Sequence, residues 1–356
     1  MNIKFLQAYN GDSILISFND IDGIMRNVLI DGGMSSTYFD TTLNKYGALK
    51  EEIEVIRGKN QQIDLLILSH IDNDHIEGLL KWFSIDEKAH ELIDKVWFNS
   101  GKIISKLFNE KENKDLNVSL VDKKNILTGV IEGLEFEKYL LKNKIWDKEI
   151  IQKGNKIEFF NVTINVLTPT ELQLKKLVKE YKRKTGDTMF TGGKKTDWDQ
   201  NIKEIIEEEN KNDFSFDQDT SVKNGSSISI LLTYNENNFL FLADSHPTQV
   251  SQALEELGFS KDNPVKVELM QIAHHGSKKN MNKKLLEMVE TDNYVISTNS
   301  TSHHHPHKAT LARIITVNPK AIIHFNYSYV RENVFKEKDF EDFPNIKTRL
   351  ISEYSI

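Results

Sequence analysis

Four side chains that can bind a divalent metal stand within six residues: His70, Asp72, Asp74 and His75, in the run Ser69-His70-Ile71-Asp72-Asn73-Asp74-His75-Ile76-Glu77-Gly78. They follow Ile63 to Leu68, a short and almost wholly apolar run, the pattern of a strand buried on both faces. A strand cannot aim four such residues at one point, because alternate side chains face opposite ways. A tight turn from strand into helix can, and Ile76, Leu79, Leu80 and Phe83 continue at helical spacing. In an α/β arrangement the carboxyl end of a strand is where sites form. Imidazole and carboxylate together suit zinc, manganese or iron. A polar turn with Asp74 near a helix N-terminus accounts for one acid, but not for two histidines at this spacing.

Three more polar clusters each follow or precede a predicted element. Leu242-Ala243-Asp244-Ser245-His246 ends the strand Phe239 to Leu242, and Ala273-His274-His275-Gly276-Ser277 ends Val265 to Ile272. Ser302-His303-His304-His305-Pro306-His307 comes just before a helix predicted over Leu311 to Val317. A lone Asp at a strand end is usually a helix cap, and a histidine run can be plain surface. Several such clusters at strand ends form a pattern. Strands are also predicted at Ile14 to Phe18, Val28 to Ile30, Lys95 to Phe98, Ile157 to Leu167, Tyr294 to Ser297 and Ala321 to Phe325, and Asn235-Glu236-Asn237-Asn238 reads as the turn of a hairpin. Both halves of the chain share a rhythm of hairpin strands followed by strand, motif and helix, which suggests two similar layers facing each other.

The chain of 356 residues has 28% charged and 38% hydrophobic side chains, a globular composition. It contains no cysteine, which excludes disulfides, thiolate zinc fingers and cysteine nucleophiles. No apolar stretch approaches the roughly 18 residues of a membrane span, and the opening Met-Asn-Ile-Lys-Phe-Leu-Gln lacks the apolar core of a signal peptide. A cytoplasmic protein without membrane contact is the expectation. The net charge of −7 argues against broad wrapping of nucleic acid, but not against a local basic track. Residues 171–195 hold eight Lys/Arg against three acids, and residues 196–220 two against nine. Two solvated helices and a loop explain this asymmetry best; a cap with a basic face toward an anionic substrate is the functional alternative.

Together these pieces resemble the metallo-β-lactamase fold family, whose signature is a His-x-His-x-Asp-His turn after a strand. More narrowly they resemble its ComEC-like branch, where the second histidine is often Asp, as at Asp72. The resemblance is carried by Asn10-Gly11-Asp12-Ser13, Leu29-Ile30-Asp31-Gly32-Gly33, the 70–75 turn, Asn224-Gly225-Ser226-Ser227 before the strand leading to Asp244, His274-His275-Gly276-Ser277, Ile296-Ser297 and His305-Pro306. It runs in order over residues 1–326. A narrower likeness to stand-alone members of antiphage defence operons would bring protein partners encoded in the same operon.

The resemblance implies an α+β fold, a four-layer αββα sandwich with a two-metal site on its upper edge. Residues 1–330 would form this domain, with helical insertions around 100–155 and 171–222 and a C-terminal extension at 331–356. His70 and Asp72 would hold one divalent ion. Asp74 and His75 would hold the other with His274 or His275, the pair remaining undistinguished, and Asp244 would bridge both. The wider family has one more metal histidine between the first turn and the bridging Asp. Here no histidine occurs from 91 to 245. The resulting oxygen-rich site favours Mn²⁺ or Mg²⁺ over Zn²⁺.

The expected activity is that of a metal-dependent phosphodiesterase acting on nucleic acid or a nucleotide, with Asp74, His75 and Asp244 central to catalysis. Ser277, Lys278, Lys279 and His305 are candidates for contact with the phosphate. The alternatives are a hydrolase of lactones, thioesters or other small esters, and a non-catalytic sensor or interaction subunit. Retention of the whole ligand set argues against the last.

Overall fold

A computed structural model of the protein describes residues 1–108, 129–181, 196–211 and 216–356. They divide into two compact units: the described parts of Met1–Gln152, Pro169–Thr191 and Glu353–Ile356, and those of Lys153–Thr168 and Gly192–Ser352. Each unit is built on its own sheet.

The first sheet has six strands, in the order Glu353–Ser355, Asn2–Phe5, Ile14–Asn19, Met25–Ile30, Ile63–Ile67, Ile93–Trp97. The first four alternate in direction, whereas Met25–Ile30, Ile63–Ile67 and Ile93–Trp97 run parallel. Ile63–Ile67 is buried at every position, as its unbroken apolar sequence requires. Ile30 is paired with Ile67, so the two strands end side by side and release Asp31 and Ser69 at the same edge.

The helix Asn73–Ile85 turns Ile76, Leu79 and Trp82 inward. It begins against the turn after Ile30. The Gly32 N–H donates to the His75 carbonyl and the Gly78 N–H to the Gly33 carbonyl, both at 2.8 Å. A Cβ on Gly78 would stand 1.9 Å from the Gly32 carbonyl oxygen, so this approach requires glycine. The expected helices of the 100–155 stretch are Gly101–Leu107 and Val130–Asn143, with residues 109–128 outside the described chain.

The second sheet has eight strands, in the order Lys347–Leu350, Ile322–Phe325, Asn293–Ile296, Leu269–Gln271, Asn237–Phe241, Ser229–Tyr234, Val162–Thr168, Lys156–Phe159. The five from Asn237–Phe241 to Lys347–Leu350 are parallel. The other three are joined as antiparallel neighbours. The expected hairpin is present, with a tighter turn: only Asn235 and Glu236 lie outside the strands, both at positive φ (47° and 68°). That is the two-residue turn whose twist matches a hairpin.

One face of this sheet, with Leu231, Leu240, Met270, Tyr294 and Ile323, shares a core with the helices Ile202–Lys211, Pro247–Glu256, Lys283–Glu287 and Lys308–Val317. The opposite face also carries apolar side chains, among them Leu232, Phe239 and Val295. Residues 331–356 supply the helix Glu337–Asp342, the edge strand Lys347–Leu350 of the second sheet and the edge strand Glu353–Ser355 of the first. Of the 171–222 stretch, Glu171–Tyr181, Ile202–Lys211 and Val222–Gly225 are helical. Much of the predicted basic face falls at 182–195, outside the described residues. No helix among the described residues is long and apolar enough to cross a membrane.

Candidate metal centre

In the first unit the turn after Ile63–Ile67 gathers His70, Asp72, Asp74 and His75, as the sequence predicts. Both imidazoles are buried, at 4% and 0% exposure, with ring centroids 4.1 Å apart. Asp72 occupies the N-cap position of the helix without a side-chain cap bond. Its Oδ2 lies 3.7 Å from His70 Nε2, and Asp74 Oδ1 lies 4.0 Å from His75 Nε2. Asn10 Nδ2 donates to Asp74 Oδ2 at 3.2 Å.

Asp31, fully buried and at φ 58°, organises this cluster from the neighbouring strand. Its Oδ1 accepts the Ser69 N–H at 2.7 Å and its Oδ2 the Ser69 hydroxyl at 2.5 Å. The same Oδ2 stands 2.8 Å from His75 Nδ1. A carboxylate only accepts, so His75 carries its proton on Nδ1 and its lone pair on Nε2. Because the Ser69 hydroxyl is donated to Asp31, its oxygen accepts from His70 Nδ1 at 3.0 Å. One carboxylate therefore sets the tautomer of both histidines, in the form a metal-binding Nε2 needs. Asp12, 1% exposed, offers a carboxylate oxygen within 4.8 Å of a His75 ring nitrogen.

In the second unit, the site residues stand at the carboxyl ends of the parallel strands. Asp244 follows Asn237–Phe241, His274 and His275 follow Leu269–Gln271, and Ser297 follows Asn293–Ile296. The chain at these turns is forced into left-handed backbone: Ala243 at φ 45°, His274 at 50°, His275 at 53° and Gly276 at 92°. Runs of such residues persist only where surrounding contacts hold them, and they concentrate at functional sites.

The two histidines are held differently. His275 is 2% exposed, and its Nδ1 donates to the Ser297 carbonyl at 3.0 Å. Its Nε2 lies 3.7 Å from Asp244 Oδ1. His274 is more open, its side chain 21% exposed, with Nε2 3.5 Å from Asp244 Oδ2 and Nδ1 3.0 Å from Asn280 Oδ1. Asp219 lies beside it, Oδ2 at 3.6 Å from His274 Nδ1 and 3.8 Å from His246 Nε2. Burial pushes the Asp219 carboxyl up, but hydrogen bonding and charge from His274, with the Ser221 N–H and the Asn224 amide, hold it well below the usual carboxylate range.

Among the expected phosphate contacts, Ser277 is buried and accepts the Lys279 N–H at 3.3 Å. Lys278 is exposed. Lys279 is tied to Asp217, Nζ to Oδ2 at 2.8 Å. His305 is buried, its ring centroid 4.9 Å from those of both His274 and His307. Burial, then the neighbouring histidines, push its pKa well below the ordinary imidazole value. His307 is lowered to about 4, first by burial, against the pull of Asp197 and with Lys278 adding to the shift.

Imidazole lone pairs and carboxylates in buried turns are the donor set of a divalent cation. Each unit offers such donors: Asp12, His70, Asp72, Asp74 and His75 in the first, Asp244, His274 and His275 in the second. Asp12 and Asp31 stand in segments that carry the family resemblance, yet their parts in the cluster are not readable from sequence, because both reach it from other strands. Asp219 and Asn280 had no signal beyond a polar side chain in a loop.

No curated protein matches the chain by sequence. Solved structures similar to it include the metallo-beta-lactamase fold protein YhfI from Bacillus subtilis, 11% identical with a TM-score of 0.40, covering 99% of this chain and 98% of that one. CmlA, a diiron beta-hydroxylase from Streptomyces venezuelae, is 13% identical with a TM-score of 0.39, covering 100% of this chain and 54% of that one. A metallo-beta-lactamase from Cronobacter sakazakii with a HARLDQ motif is 11% identical with a TM-score of 0.33, covering 88% and 90%. The sequence profile of the metallo-beta-lactamase superfamily matches residues 10–143, the stretch that holds Asp12, Asp31 and the 70–75 turn. Residues 10–143 thus carry the sequence pattern of the metallo-beta-lactamase superfamily.

Proposed function

We propose that the protein is a metal-dependent hydrolase and that its substrate is a phosphodiester, in nucleic acid or a nucleotide. The observation that supports this reading most is the anchoring of three imidazoles through Nδ1: His75 on Asp31, His70 on Ser69, and His275 on the Ser297 carbonyl. Each is left with its lone pair on Nε2, the arrangement of a metal-ligating histidine. In this reading His70, Asp72, Asp74 and His75, with Asp12 added, are the ligands of the first unit. Asp244 and His275 would be those of the second. His275 is preferred to His274 because it is the more buried and is fixed by a backbone carbonyl.

Divalent ions, held by these residues, would acidify water and would supply positive charge for a developing oxyanion. The chain's own groups do the positioning: Asp31 and Ser69 fix the imidazoles, and Asn10 aims Asp74. We assign contact with substrate to His274, Lys278, Ser277 and His305, with Lys279 held by Asp217. Four carboxylates among the ligands favour Mn²⁺ over Zn²⁺. Asp72 in the second position and the His274-His275-Gly276-Ser277 run support a place in the ComEC-like branch. A cytoplasmic location and operon-encoded partners in antiphage defence are the extension of that placement.

The test is chelation followed by restoration with single metals. Bis-p-nitrophenyl phosphate, single-stranded DNA, duplex DNA, RNA and cyclic nucleotides are assayed side by side. Mn²⁺ is expected to restore hydrolysis at least as well as Zn²⁺. Full restoration by Zn²⁺ and none by Mn²⁺ overturns the ligand argument. Opening of lactones or thioesters with no phosphodiester turnover overturns the substrate and leaves the metal centre standing.

A further inference from the structure

We propose that Asn280 is a positioning residue, whose carboxamide sets the orientation of His274 against the Asp244 turn. Asn280 is fully buried, three residues beyond Ser277, in a loop where polar side chains would ordinarily reach solvent. All of its carboxamide is engaged. Nδ2 donates to Asp219 Oδ2 at 3.1 Å and to the Asp244 carbonyl at 3.1 Å. Both partners are acceptors, which fixes the amide the right way round and turns Oδ1 toward the imidazole. Oδ1 then accepts from His274 Nδ1 at 3.0 Å. The main chain holds the residue in turn, its N–H donating to the Ser277 carbonyl at 3.1 Å.

Three segments meet at this one side chain: the Asp219 loop, the Asp244 turn and the strained turn of the histidine pair. Asn224 reinforces the first, its Nδ2 2.7 Å from Asp219 Oδ2. His274 stands on left-handed backbone that gives its ring no regular-structure support, so ring direction depends on side-chain contacts. A buried polar network with every member satisfied holds one geometry and loses it when a member is removed. His274 Nδ1 also stands 3.3 Å from Asn224 Nδ2 and 3.6 Å from Asp219 Oδ2; the bond to Asn280 is the shortest of the three, and it turns Nε2 toward Asp244 Oδ2.

The inference rests on the proposed hydrolase reading for its effect on turnover, but not for its effect on the ring. Two measurements on the full-length protein separate them. In the first, long-range ¹H–¹⁵N spectra of histidine-labelled, metal-free protein report the His274 ring. Wild type is expected in the Nδ1-protonated form, and Asn280→Ala is expected to shift to a mixture. An unchanged His274 spectrum in the variant overturns the proposal, whatever the protein hydrolyses.

The second measurement is kinetic, with bis-p-nitrophenyl phosphate as probe. Asn280→Asp sets a carboxylate against Asp219, and kcat is expected to fall about 10–100-fold with KM within about threefold, the size of loss that misplacement of a group facing the reacting atoms brings. The exchange D219N/N280D restores a donor and an acceptor across the same pair and is expected to regain about tenfold of that loss. A purely structural plug would instead lower the melting temperature of both variants and leave kcat per folded molecule unchanged, which overturns the proposal. If wild type hydrolyses no phosphodiester, the hydrolase reading falls, and the spectra alone decide the role of Asn280.

Discussion

The two candidate ligand clusters are built by opposite means. In the first unit, four candidate ligands come from six consecutive residues on one strand-to-helix turn, and a single buried carboxylate, Asp31, fixes the imidazoles. In the second, Asp244 and the histidine pair come from separate strand ends, and their supports come from three more loops: Ser297, Asp219 and Asn280. The first cluster spends polar bonding, while the second also spends backbone strain, with left-handed residues at Ala243, His274 and His275. Each such residue costs about 1–3 kcal/mol and persists only where its surroundings over-determine it. A contiguous motif can be held by one partner, whereas an assembled one needs a network.

The largest expected effect breaks the first cluster directly. Asp74→Ala removes a proposed ligand and should lower turnover by at least about 10²-fold, more than the loss of a supporting partner alone. The fold should survive, because Asp74 is part-exposed and outside the core, its side chain 20% accessible. Bound metal per protein and kcat, measured together, check it. Loss of activity with full metal content would move Asp74 out of the ligand set.

Next comes the single anchor. Asp31→Asn keeps the shape but replaces a charged acceptor facing Ser69 and His75 by an amide. Metal affinity in a competition titration should weaken about 10–100-fold. Wild-type affinity would show that Asp31 is not what organises the first cluster.

A smaller effect separates the units by acid stability. His324, on the strand Ile322–Phe325 of the second sheet, is lowered from 6.5 to about 4 by burial and by Arg349. The folded state therefore resists a proton that the unfolded state accepts. Stability from this group is present above about pH 6.5 and is lost as pH falls toward 4. His324→Gln should flatten the melting-temperature profile over that window without changing metal binding. An unaltered profile would mean that the acid sensitivity lies elsewhere.

The smallest effect concerns the lysines. Lys279 is paired with Asp217 on the surface, an arrangement of about 0–1 kcal/mol. Lys279→Ala should leave KM nearly unchanged, whereas Lys278→Ala should raise KM more than it lowers kcat. Equal effects would show that the Asp217 pair opens for substrate.

The comparison also explains what could be read in advance. The 70–75 turn was legible because its ligands and its framing strand are neighbours in the chain, and periodicity reports neighbours. Asp244 and the histidine pair were legible as separate strand-end clusters. Their supports were not. Asp219 is one of nine acids in residues 196–220, a stretch that reads as solvated surface. Yet its side chain is only 14% exposed and lies against His274. Asn280 follows two lysines and reads as loop. The choice between His274 and His275 was equally closed, since adjacent identical residues differ only in what surrounds them.

By itself the sequence determined the strand and helix order, the turn that collects His70, Asp72, Asp74 and His75, and the family resemblance, because these follow from local pattern. Only tertiary structure decided that Asp31 governs both histidines of that turn, that His275 is buried on Ser297 while His274 rests on Asn280, and that Lys279 is paired. Hydrogen bonds such as Ser69 to Asp31, 38 positions apart, and His275 to Ser297, 22 positions apart, depend on strand register and loop closure. No local pattern in the chain encodes either one.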